Sequence, residues 1–154
     1  MSAALLTSAF LSFAGLLVTG WYGLFGADLA RHIAFGIFST MLTLLTHSML
    51  MFYLIGKGKA VREAAAEGGL SAEFAGRIAE ARRPVFSLAT LAMSLTIVAA
   101  LLGASADTGV LPAPIHGLMA YVAIAANVAM LRVEIAALQV SARIVAEVNR
   151  LLNA

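Results

Sequence analysis

Four long apolar runs, at about 3–25, 30–55, 85–104 and 113–131, constrain this chain more than anything else in it. Each is close to the ~20 residues a helix needs to cross ~30 Å of hydrocarbon. Backbone polar groups in lipid must bond within their own segment, so runs of this kind form helices. Of the 154 residues 62% are hydrophobic and 12% charged, whereas an ordinary soluble domain has about 25% charged residues. A single core in a chain this size has no room for that much apolar surface, and the bilayer is the expected solvent. The expected fold is all-α: a four-helix transmembrane up-down bundle with helices 2, 3 and 4 extended into the cytoplasm.

The breaks between the runs are short. Gly26, Ala27 and Asp28 separate the first two, with Asp28 as an N-cap. Pro112 and Pro114 bracket the start of the fourth. Between the second and third runs, residues 56–84 are charged and alanine-rich, with Gly68 and Gly69 in the middle and a fresh helix start at Ser71. This reads as a helical hairpin that continues helices 2 and 3. Pro84 sits where helix 3 returns to apolar sequence, and a kink is expected there. Residues 132–152 keep a helical pattern, with Val133, Ala137, Val140, Ile144, Val148 and Leu151 on one stripe that should pack on the hairpin. No internal repeat is visible. The first run lacks the basic start and short core of a signal peptide, so it is expected to be a retained helix.

Nine of the ten Lys and Arg residues lie in the hairpin or the C-terminal extension, and Arg31 alone lies at the other end. The positive-inside rule then places the hairpin and both termini in the cytoplasm, in a multi-pass protein of the inner (plasma) membrane. Helices 2 and 4 run parallel. The mixed charges and few aromatics of the hairpin argue against nucleic acid as a partner. They suit a solvated helical pair, or a docking site for a soluble partner or for anionic lipid.

Ionisable groups in apolar segments are costly and become functional candidates by default. His32 lies near the start of helix 2 and His116 near the start of helix 4, at the same end of two parallel helices. His47 follows His32 by fifteen residues, which places it within about 60° of the same face. That face carries Gly36, Ser39, Thr40 and Thr43. Helix 4 has a matching face: His116, Ala120, Ala123, Asn127, Met130 and Glu134. Met130 falls near the depth of His47. Neutral imidazole is a common ligand for iron, copper and zinc. The plainer roles are a snorkelling polar group for His32 and His116, and a hydrogen bond to Thr43, Ser87 or Asn127 for His47. Met130 is more ordinarily core filler, and Glu134 half of an interfacial ion pair with Arg132.

The arrangement resembles the transmembrane di-haem b-type cytochromes, in which two parallel helices each carry two haem ligands about four turns apart. It resembles them in spacing and architecture over the two ligand helices, without a diagnostic motif. The resemblance implies one or two haem b groups, with His32 and His116 as the outer ligand pair. His47 matches half of the inner pair, where Met130 stands in place of a second histidine. Methionine can ligate haem iron and raises its potential. It further implies that Arg31 meets a haem propionate. Gly36, Ala120 and Ala123 would leave room for a porphyrin.

Three functions follow as expectations. The first is a small membrane haem b protein acting in electron transfer with quinone or another redox protein, or binding a gas if an axial site is open. The second is a non-enzymatic accessory or assembly subunit whose hairpin docks a partner. The third is an oligomeric metal-ion or proton conductor. The chain is expected to form a homo-oligomer or to join a larger complex. With no cysteine there is no disulfide, thiolate metal site or thioether-linked haem. Phosphate loops, dinucleotide fingerprints and nucleophile elbows are also missing from the sequence.

Overall fold

The computed structural model describes residues 2–26 and 28–153; Ala27, in the first connection, lies outside the described residues. The chain is an all-α four-helix bundle. Its helices are α1 (Ser2–Phe25), α2 (Leu29–Glu67), α3 (Glu73–Asp107) and α4 (Ala113–Leu152). All four are long and apolar enough to cross a membrane. Asp28 caps α2 by accepting the Arg31 N–H at 3.0 Å. Ser71 Oγ accepts the Glu73 N–H at 3.2 Å at the start of α3. The last two turns are closed alike. In each, a glycine at positive φ (Gly69 at 65°, Gly109 at 74°) ends the helix. The next residue donates back to the last turn, Leu70 to Ala65 O at 2.8 Å and Val110 to Ser105 O at 2.9 Å. The helical run of α3 continues through Pro84.

Short turns make successive helices antiparallel neighbours. Packing is heaviest within the hairpins α1–α2 and α3–α4. The α2–α3 and α1–α4 contacts close the ring, and a short diagonal joins α2 to α4. Close approach within α1–α2 rests on small residues. A Cβ on Gly15 would lie 2.5 Å from Ser39 Oγ, so these two backbones are nearer than side chains would allow.

The polarity of the apolar segments is inverted relative to a soluble bundle. Buried positions include Ser12, Ser39, Thr43, Thr46, His47, Thr96 and Asn127, while Met41, Phe52, Leu101 and Leu118 are exposed. An exterior of this kind suits hydrocarbon. Below the polar groups, Leu50, Leu54, Val85, Ala89, Met130 and Leu138 form the main apolar cluster, joined by Leu5 of α1.

A separate cluster ties α4 to the hairpin: Val61, Phe74, Ile78, Ile144 and Val148. Here the expected stripe needs correction. Val140 and Leu151 are exposed, and Leu138 and Ser141 are buried instead. The inward line runs Glu134, Ala137, Ser141, Ile144, Val148, alternating steps of three and four; Val140 falls about 100° from Ser141 around the helix. At the edge of this cluster Arg77 Nη2 donates to Glu147 Oε2 at 2.8 Å.

Two outcomes test this packing. Ile78→Ala removes a fully buried side chain from the smaller cluster. It should cost about 2–4 kcal/mol locally. Hydrogen exchange should quicken in residues 60–80 and 140–150, with the apolar segments unchanged. The second concerns pH. The Arg77 hydrogen bond holds the Glu147 carboxyl below its ordinary range, so its stabilisation is complete above about pH 4.3. It is lost as pH falls through the lowered folded-state value. Protease nicking of the hairpin should rise on acidification, and the part of that rise due to this pair should be absent in Arg77→Gln.

Candidate functional site

The two hairpins each bring one histidine to the same end of the bundle, and they do so in the same way. His32 on α2 places Nδ1 3.0 Å from the carbonyl oxygen of Thr19 on α1. His116 on α4 places Nδ1 3.1 Å from the carbonyl oxygen of Ala99 on α3. A carbonyl can only accept, so both Nδ1 atoms carry a proton and donate it. In neutral imidazole this leaves the Nε2 lone pair of each ring free for another partner. A glycine lies four residues beyond each carbonyl, Gly23 and Gly103. A Cβ there would come within 2.9 Å of His32 Cε1 or 3.0 Å of His116 Cε1. The missing side chains are what let each ring lie against the preceding helix.

The molecule therefore has a structural repeat that the sequence hides. Carbonyl, glycine and histidine recur in both hairpins, but Gly23 precedes its histidine by 9 residues and Gly103 by 13. The unequal turns absorb the difference.

The ring centroids of His32 and His116 are 5.9 Å apart, with planes at 71°. Two clefts flank the pair and both rings line each of them. One, about 190 Å³, is bordered by Ile33, Gly36 and Ile37 of α2 and by Ala100, Gly103 and Ala104 of α3. The other, about 290 Å³, is bordered by Tyr22, Gly23 and Leu24 of α1 and by Gly117 and Tyr121 of α4. Both are smaller than the roughly 300–1,000 Å³ of drug-sized ligand and cofactor sites, and each is partly open at its edge. Gly36, Ala120 and Ala123 line the first cleft, as their small size suggests.

Arg31 lines neither cleft. It is exposed and paired with Asp28, Nε to Oδ2 3.1 Å.

The first cleft ends on Thr96, which begins a buried hydrogen-bonded chain. Asn127 Nδ2 donates to Thr96 Oγ1 at 3.0 Å and to Ala123 O at 2.8 Å. Its Oδ1 therefore faces His47 Nε2, 3.0 Å away, and that nitrogen donates. Thr96 in turn donates to Ala92 O at 2.7 Å. His47 Nδ1 is left buried without a partner, as are the hydroxyls of Thr43 and Thr46. Of the three partners that the sequence offered for His47, the structure selects Asn127. Met130 is fully buried in the main apolar cluster.

Glu134 departs from expectation. It is fully buried, with neither carboxylate oxygen hydrogen-bonded, while Arg132 is exposed. Two residues apart on a helix means about 200° of rotation, so the two side chains leave opposite faces and form no ion pair.

Among the described residues no group of three or more His, Asp or Glu side chains could hold a bare metal ion. The Thr19 and Ala99 carbonyls, Gly23, Gly103 and Thr96 were not singled out from the sequence. A carbonyl leaves no mark in it, and the glycines become legible only once the paired helix is in place. No family model matches the chain, and no curated protein or solved structure matches it either.

Asn127→Leu would strand the His47 Nε2–H and remove the donor to Thr96. It should lower stability by about 1–2 kcal/mol, read as an earlier thermal transition in detergent, while leaving the His32–His116 pair in place.

Proposed function

We propose that the chain is a small haem b protein of the inner membrane, in which His32 and His116 would hold one haem through their imidazoles, with electron transfer as its role. The observation that carries this is the matched pair of imidazoles, each locked by a backbone carbonyl through Nδ1 and each keeping Nε2 free. That is the usual way a protein presents histidine to a metal, since the second hydrogen bond fixes the tautomer and raises the basicity of the ligating nitrogen. The two rings also stand together, 5.9 Å between centroids, so both could serve one bound group.

Ligand count favours haem over a bare ion. Two protein ligands are too few for a closed zinc or copper site, whereas a porphyrin brings four nitrogens of its own and leaves two axial positions. A bound haem supplies one-electron exchange at iron. The chain's residues do the rest. Thr19 and Ala99 orient the rings, Gly23 and Gly103 admit them, and the clefts on either side provide apolar walls. With both imidazoles holding it, a haem would have no protein-free site left for a gas, so the support falls on electron transfer rather than gas binding. For Arg31 to meet a propionate it would exchange one exposed carboxylate for another, a change of small cost at the surface.

One haem is proposed. His47 is engaged by Asn127 and Met130 is packed among aliphatic side chains, so the inner site has no comparable support. The excess of basic residues at the hairpin end supports the cytoplasmic placement of that end and of both termini, with the histidine clefts near the outer surface.

A dithionite-reduced spectrum of detergent-purified protein tests the proposal. Expected are a Soret band and one haem per chain, both lost in His32→Ala and in His116→Ala. Gly103→Ala, which pushes on His116, should reduce haem content without unfolding the bundle. A colourless protein after expression with ample haem, indifferent to loss of either histidine, would instead mark an accessory subunit.

A further inference from the structure

At the opposite end of the bundle, where the apolar segments of α2 and α3 give way to the charged hairpin, a groove opens between the two helices. Ile55 lines it from α2, and Ala79, Arg82, Arg83, Phe86 and Ser87 line it from α3. Arg82 is half-buried and lies across buried Gly58 of α2. Its Nη1 stands 3.0 Å from where a Cβ on that glycine would be. The missing side chain gives the guanidinium a seat against the neighbouring helix. Among the described residues, neither Arg82 nor Arg83 forms an ion pair, whereas Lys59 and Arg77 in the same hairpin are paired with Glu63 and Glu147. Two guanidinium groups therefore face the groove with their donors uncommitted, beside the exposed aliphatic side chain of Ile55 and the ring of Phe86.

We propose that this groove binds the headgroup of an anionic phospholipid, with its phosphate on Arg82 and Arg83 and an acyl chain along Ile55 and Phe86. The guanidinium fork matches phosphate oxygens in pairs and sheds its water more readily than an ammonium does. Depth selects lipid over a soluble partner. Ile55 is the last residue of the second apolar run, and Pro84 alone separates the arginines from the apolar run that starts at Val85. If the apolar segments span the bilayer, the arginines lie at the level of its phosphates. The apolar wall continues from there into the membrane segment rather than out along the hairpin. Basic pockets between helices at this boundary are a known setting for anionic headgroups. The proposal rests on the membrane reading of the helices and is independent of haem.

The test uses the full chain in nanodiscs of phosphatidylcholine containing a minor fraction of phosphatidylglycerol, with retained lipid counted by native mass spectrometry. Phosphatidylglycerol should be enriched on the wild-type protein. Arg82→Gln and Arg83→Gln should each weaken its retention about fivefold. Arg143→Gln, an exposed arginine on the C-terminal extension, should leave it within about twofold. Gly58→Ala, which crowds the Arg82 guanidinium, should fall between. Equal retention of both lipids by the wild type would overturn the proposal, and that comparison needs no variant. So would undiminished retention in the double arginine variant, or an equal loss in Arg143→Gln, which would indicate bulk charge rather than the groove. A double variant that keeps its lipid but loses a co-purifying protein would assign the groove to a soluble partner and overturn it equally.

Discussion

A bundle that presents apolar side chains outward has only its own interior in which to pair polar groups. Hydrogen bonds of the buried side chains therefore decide how the helices face one another. Asn127 is the centre of this. It joins α4 to α2 through His47 and to α3 through Thr96, fixing the rotation of three helices at once. Above it the bundle is held by carbonyl–imidazole bonds within each hairpin. Below it aliphatic packing takes over, with Leu50, Leu54, Val85 and Met130.

That division explains the clefts. In the histidine half, small residues bring α1 close to α2, and the two imidazoles stand between the hairpins. The first cleft stays open beside the rings because Gly36, Ala120 and Ala123 do not fill it. The polar chain at Thr96 closes the first cleft from below. A ligand in it would contact the same hydrogen-bonded chain that orients the helices, so occupancy and bundle stability should be coupled.

Not every buried polar group is satisfied. His47 Nδ1, the hydroxyls of Thr43, Thr46 and Ser141, and both oxygens of Glu134 lack partners among the described residues. Such groups carry a desolvation cost with no compensating bond. Their concentration along the inward faces of α2 and α4, rather than at random sites, marks these two helices as the polar seam of the bundle.

Much of this was legible in the sequence. The four helices, the turn at Gly68–Gly69, the Asp28 cap and the inward faces of helices 2 and 4 follow from apolar run length, turn residues and a 3.6-residue period, all of which are local. His32 and His116 could be placed at one end because two parallel helices starting together put early residues at equal depth. At Val140 and Leu151 the sequence pattern leaves the phase of the stripe open by one residue, about 100° of rotation, and only a packed partner sets it. The tertiary structure alone decided which atom of each histidine is engaged, that Asn127 rather than Thr43 or Ser87 meets His47, and that Glu134 turns away from Arg132. Those outcomes depend on helix rotation and on backbone carbonyls, and neither is written in the identity of any single residue.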